Sequence, residues 1–241
     1  MKILSIGNSF SQDAHRYLHQ VAKSEGVELK AVNLYIGGCS LEKHYQNLID
    51  DNAVYGFEFN GEKTGIFVSI KQAIESDEWD VVTLQQVSHL SWDYKTFNPY
   101  LIEIAKFLKE KCPKAKIYIH QTWAYEKDSQ PLSDLGVFKN SKDMLDSACL
   151  SYDMAVKEIC ADGVIPCGRA MFNALKLGID KIHRDGYHAT LGVGRYLLAL
   201  CWLKSLMNID ISNNTFNEFD EPISDAERKI VIDAVNSVFD K

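Results

Sequence analysis

No run of the chain is long and apolar enough to cross a bilayer. The best, Tyr196 to Leu206, falls well short of the roughly 20 residues that a spanning helix needs. Positive charge is also in short supply: 26 Lys and Arg face 33 Asp and Glu, a formal net charge of −7 with histidines neutral. Nucleic acid is therefore not expected as a partner, because phosphate recognition needs a concentrated positive field. The six cysteines, Cys39, Cys112, Cys149, Cys160, Cys167 and Cys201, form no CxxC pair. That argues against both a disulfide framework and a zinc-ribbon spacing. The segment Met1-Lys2-Ile3-Leu4-Ser5-Ile6-Gly7 runs straight into a strand pattern and lacks the apolar stretch of a secretion signal. A reduced cytoplasmic protein without membrane partners is the expectation.

What is present is ordinary globular composition, with 46% hydrophobic and 24% charged residues, which excludes disorder. A chain of 241 residues buries enough surface to fold without staples, and one domain spanning residues 1–241 is expected. Apolar runs with strand character alternate with segments of helical period. Strands are predicted at Lys2–Ile6, Glu28–Tyr35, Trp79–Gln86, Lys116–His120 and Gly163–Pro166. Helices are predicted at Asp13–Lys23, Leu41–Leu48, Pro99–Lys111, Ser141–Cys160 and Ala170–Leu177. Two more follow, a buried one at Leu191–Met207 and a terminal one capped by Ser224 with Glu227 and running to Phe239. This alternation predicts a three-layer α/β/α sandwich around a parallel five-stranded sheet. Residues 55–66, with a turn at Asn60-Gly61, read as a small β-hairpin insertion. The polar stretch Asn208–Glu221 reads as a loop or lid.

Ligands of open α/β sheets bind at the carboxyl ends of the strands, so the residues that follow each strand matter most. Ser9 follows the first strand. A serine becomes a nucleophile only beside a base whose tautomer is fixed by a third group. Asp185 and His188, three residues apart, suit that pair, and Thr190 is a candidate cap that would hold their turn on the buried helix. Oxyanion donors are sought in the backbone N–H of Ser9, in Gly38 and in the side-chain amide of Gln86. Gln85 stands beside Gln86, and strand alternation lets only one of them face the rim. Ser11 is a candidate cap for the first helix. His15, His19 and His44 read as surface residues, Ser5 and Cys39 as packing residues. His120 and Trp123 are candidates to line the pocket, Trp123 with a face on which a sugar can stack.

Gly7-Asn8-Ser9, Gly38, the Gln86 block and Asp185-Gly186-Tyr187-His188 resemble, in order, the four blocks of SGNH/GDSL-type hydrolases. The similarity is greatest to the bacterial SGNH-like branch whose first block reads Ile-Gly-Asn-Ser-Phe-Ser, the DUF4886-like proteins. The resemblance implies a flavodoxin-like sandwich, Ser9 as nucleophile, Asp185 and His188 as its base pair, and Gly38 as an oxyanion donor. Two departures stand out. Asn8 replaces the usual Asp before the serine, and Gln85-Gln86-Val87-Ser88-His89 replaces the usual Gly-x-Asn-Asp third block. Acetylesterases of the superfamily with a His-Gln-Gly-Glu block are a precedent for Gln86, and His89 is an alternative functional group there.

The expected activity is that of a serine esterase releasing a small O-acyl group, acetyl above all, from a carbohydrate or other small molecule. His89 and Trp123 are the expected substrate contacts, and no cofactor or metal is called for. Two other readings remain at this stage: a carbohydrate-binding protein on the same fold without catalysis, and a metal-dependent phosphoesterase using His183, Asp185 and His188. No His-x-His or His-Glu-x-x-His spacing accompanies the latter.

Overall fold

A computed structural model of the chain describes residues 1–239. Its strands are β1 (Lys2–Gly7), β2 (Lys30–Tyr35), β3 (Tyr55–Phe59), β4 (Glu62–Val68), β5 (Val81–Leu84), β6 (Lys116–His120) and β7 (Gly163–Ile165). They form one seven-stranded sheet in the order β4-β3-β2-β1-β5-β6-β7. The five strands from β2 to β7 in that row are parallel, as expected of a flavodoxin-like sheet. The hairpin expected at residues 55–66 is present as β3 and β4, and it joins the main sheet. Its first strand pairs antiparallel with the open edge of β2, from Val32 opposite Phe59 to Tyr35 opposite Gly56, so the sheet has seven strands instead of five. Pairing that edge satisfies backbone groups that would otherwise face solvent.

The helices are α1 (Ser9–His15), α2 (Leu18–Ser24), α3 (Leu41–Ile49), α4 (Ile70–Glu75), α5 (Tyr100–Lys111), α6 (Gln130–Leu135), α7 (Ser141–Ile159), α8 (Cys167–Leu177), α9 (Val193–Met207) and α10 (Asp225–Asn236). The helix expected over Asp13–Lys23 is in fact two, α1 and α2, separated at Arg16 and Tyr17, and α1 begins four residues earlier than predicted. None of the described helices is long and apolar enough to cross a membrane.

Strand alternation divides the interior into two cores. Ile3, Ala31 and Val81 point to the face covered by α1, α2, α8, α9 and α10. Leu4, Ile6, Val32, Leu34, Val82 and Leu84 point to the face covered by α3, α4, α5 and α7. Helix α9 is apolar on nearly every side and wholly buried along Tyr196–Leu203, which makes it the pillar of the first core. The stretch 208–221 is irregular, as predicted, but it is no lid. Ile211, Asn214 and Phe216 are buried, Asn214 bonding Ser24 and Tyr196, and none of these residues lines the cavity described below.

Candidate active site

The first site residue owes its position to an unusual helix. Three neighbouring strands carry a polar row on one face, Asn33, Ser5 and Thr83, in register with one another. Helix α1 lies on that row and meets it with polar groups: Ser11 Oγ is 2.7 Å from Asn33 Oδ1, and His15 Nε2 is 2.7 Å from Ser5 Oγ. The chain must turn sharply to do this. A Cβ on Gly7 would lie 2.1 Å from Ser11 Oγ, so only glycine fits there. Asn8 caps the helix, its Oδ1 accepting from the Phe10 N–H at 3.0 Å while Ser11 Oγ accepts from the Asn8 N–H. Ser11 is thus the reciprocal partner in the cap and Asn8 the cap itself. With residues 11 and 15 committed to the sheet, Ser9 and Asp13, one turn apart, face the segment that follows α8.

That segment carries Asp185 and His188. His188 Nε2 lies 2.8 Å from Ser9 Oγ, and His188 Nδ1 lies 2.7 Å from Asp185 Oδ2. Asp185 Oδ1 also accepts from the backbone N–H groups of His188 (2.8 Å) and Tyr187 (3.3 Å). Burial by itself would raise the Asp185 carboxyl, but the His188 side chain and these N–H groups outweigh it and hold it below the usual carboxylate range. The turn is closed by Arg184 N–H donating to His188 C=O at 2.9 Å. Thr190 Oγ1 accepts from the Gly194 N–H at 2.8 Å, in the first turn of α9. Asp13, fully buried, accepts from Arg184 Nη1, from Arg195 Nε and from the Ala189 N–H, so it ties both sides of the turn to α1, the helix that carries Ser9.

A cavity of about 410 Å³ opens on Ser9 and His188 and is lined further by Asn8, Phe10, Tyr35, Gly37, Gly38, Val87, Ser88, His89, Tyr125 and Tyr187. The N–H groups of Ser9 and Gly38 have no protein acceptor among the described residues. Gly38 needs its freedom, since its φ of +64° is strained for other residues. His89 reaches the cavity mouth, and partial burial lowers its imidazole below the ordinary value.

Two expected contacts are elsewhere. Gln86 is buried with its side chain on the far face of the sheet, where Oε1 accepts from the N–H groups of Leu41 and Val87 and Nε2 donates to Thr96 C=O. It therefore offers nothing to an oxyanion. Trp123 is equally buried and does not line the cavity. It stacks on Phe10 at 4.2 Å and donates to Tyr187 C=O at 2.6 Å, bracing the His188 turn from below. His120 too lies behind the cavity wall, and His15 and His44 are buried where surface positions were expected. Burial pushes the Cys39 thiol up to about 12 and the adjacent His44 down to about 3, so the proton stays on sulfur and this pair makes no thiolate. His183 is turned away from Asp185 and His188, donating through Nε2 to Ala124 C=O at 3.0 Å. Among the described residues no cluster of His, Cys, Asp or Glu has the arrangement of a metal site.

The family model of a domain of unknown function, DUF4886, matches residues 2–236. The chain belongs to the DUF4886 family. A crystal structure of a DUF4886 family protein from Bacteroides uniformis is 32% identical, with a TM-score of 0.92 over 99% of this chain and 94% of that one. A Slackia heliotrinireducens protein assigned to the SGNH hydrolases is 22% identical, with a TM-score of 0.63 over 86% of this chain and 98% of that one. An acetylxylan esterase from Geobacillus stearothermophilus is 14% identical, with a TM-score of 0.55 over 86% of this chain and 94% of that one. No curated protein matches. The fold of this DUF4886 chain is thus that of the SGNH hydrolases.

One residue that organises the DUF4886 site, Asp13, escaped the sequence reading. Asp13 had one available signal, its spacing of four from Ser9, which puts both on one helical face. Asn8, which stands where the related hydrolases have Asp, has a structural role: its Nδ2 donates to Cys39 C=O at 3.1 Å and so joins the loop after β1 to the loop after β2.

Proposed function

We propose that the protein is a serine esterase that removes a small acyl group, acetyl foremost, from a neutral carbohydrate or similar alcohol. The observation that carries this reading is the position of His188, its two ring nitrogens 2.7 Å from Asp185 Oδ2 and 2.8 Å from Ser9 Oγ. Asp185 accepts the Nδ1 proton, which leaves the Nε2 lone pair for the Ser9 hydroxyl. Ser9 Oγ attacks the ester carbonyl as its proton passes to His188 Nε2. The N–H groups of Ser9 and Gly38 receive the developing oxyanion. His188 then protonates the departing alcohol oxygen. Water, losing its proton to the same nitrogen, opens the acyl-enzyme and releases the carboxylic acid with Ser9 restored.

The cavity favours an uncharged substrate. None of the twelve residues lining it is Asp, Glu, Lys or Arg, while Tyr35, Tyr125, Tyr187 and His89 supply ring faces and polar tips suited to a sugar. The acetylxylan esterase on the same fold is an analogy in the same direction.

Hydrolysis of a short-chain aryl ester and of an acetylated sugar, by wild type and by Ser9→Ala, tests the proposal. The wild type is expected to turn over and to accept a fluorophosphonate on Ser9, and the variant to lose about 10⁴-fold or more in kcat. Equal rates in the two proteins would remove Ser9 as nucleophile. Sugar binding without hydrolysis or adduct would leave a binding protein.

A further inference from the structure

Resting on the esterase reading above, we infer that Gln85 is a positioning residue that sets the distance between the two backbone oxyanion donors through a one-way chain of hydrogen bonds, His120 to Gln85 to Asn8 to Cys39. The problem it solves is geometric. The N–H groups of Ser9 and Gly38 belong to loops after different strands, β1 and β2, and nothing covalent nearby fixes their separation. The expected side-chain oxyanion donor, Gln86, faces the other side of the sheet.

Alternation along the end of β5 sends Gln85 the opposite way from Gln86, into the face that carries α1. There it is 2% exposed. Its Nε2 donates to Asn8 Oδ1 at 2.7 Å, and its Oε1 lies 2.7 Å from His120 Nδ1. The orientations are mutually forced. Asn8 Oδ1 already accepts from the Phe10 N–H, and Asn8 Nδ2 already donates to Cys39 C=O. Flipping Asn8 would set its amino group against the Phe10 N–H and its oxygen against the Cys39 carbonyl. Gln85 must therefore present its amino group to Asn8 and its oxygen to His120, which in turn must carry its proton on Nδ1. The end of the chain is the useful part: Asn8 immediately precedes Ser9, and Cys39 immediately follows Gly38. The Asn8–Cys39 bond therefore spans the two donor peptides, and Gln85, anchored on a third strand, keeps Asn8 from turning away.

The test replaces Gln85 with Met, which keeps the volume and removes both hydrogen bonds, and with Glu, which keeps the shape but faces Asn8 Oδ1 with a second oxygen. In both variants kcat is expected to fall roughly 10²-fold with little change in KM, the scale of a small misplacement of catalytic groups. The affinity for a boronic acid that forms a tetrahedral adduct on Ser9 should fall by the same factor, a shift that a general loss of packing does not produce. Nitrogen-15 NMR of the wild type should find the His120 proton on Nδ1, and the Met variant should lose that preference. Turnover within twofold of wild type in the Met variant, or a His120 proton on Nε2, overturns the chain while leaving the esterase reading intact. A wild type that neither hydrolyses esters nor labels at Ser9 overturns the esterase reading, and the role of Gln85 in catalysis with it.

Discussion

Asp13 and Arg184, 171 positions apart, meet in an ion pair of 2.9 Å whose carboxylate is wholly buried. The same carboxylate takes Arg195 Nε at 2.9 Å and the Ala189 N–H at 3.2 Å. Two guanidinium groups and a backbone donor on one buried carboxylate make a joint that cannot slide. Because Asp13 stands one turn beyond Ser9, this joint also sets Ser9 against His188.

Asp13→Ala is expected to cost about 3 kcal/mol, because it leaves the partly buried Arg184 guanidinium without an anion and takes from Arg195 one of its two, Asp220 remaining. In a chain of this size that corresponds to a fall in Tm of roughly 6–12 °C, measurable by thermal unfolding. Ester hydrolysis and fluorophosphonate labelling of the folded fraction should slow together. A Tm change below about 2 °C would show that the arginines find other partners.

Gln86 yields a contrasting prediction. Gln86→Met removes the acceptor of two buried N–H groups and the donor to Thr96, so stability should fall by about 2 kcal/mol in denaturant titration. Per folded molecule, kcat should change less than tenfold, against the 10²–10³ that loss of an oxyanion donor causes. A loss of the larger size with unchanged stability would return Gln86 to the oxyanion role.

Acid should unfold the protein early. His15, His44 and His120 are buried, and burial lowers each from 6.5 to about 3, with His15 adding to the effect on His120. The unfolded chain protonates these rings below about pH 6.5 while the folded chain does not. Their contribution is therefore complete above that pH and drains as the pH falls toward 3. At pH 5 the loss is on the order of 2 kcal/mol per histidine. Circular dichroism should place the acid midpoint between about pH 4 and 5, above the range in which Asp220, held near 2 by its ion pair with Arg16 against the opposing pull of burial, begins to protonate. Full native signal at pH 4 would contradict this.

Much of the fold was legible because its signals are local. Lys116–His120 and the Asn60-Gly61 turn lie where alternation and turn chemistry put them, and the Ser224–Glu227 capping box opens α10 as read. The short helices α4 and α6 were missed, since a single turn or two carries too little period to detect. The first helix was misread for a physical reason. Its sheet-facing positions, Ser11 and His15, are polar, so the apolar period that marks a helix begins only after it.

At the site the division is sharper. Order along the chain pointed to Ser9, Gly38, Asp185 and His188, since each follows a strand or precedes a helix whose residues announce themselves locally. Order could not say whether Gln85 or Gln86 turns toward Ser9, that Trp123 props the His188 turn from beneath, or that Asp13 joins that turn to α1. Those outcomes depend on which partners, 30 to 180 residues distant, complete each buried polar group. A sequence encodes such groups one at a time, and only the packed fold decides who satisfies whom.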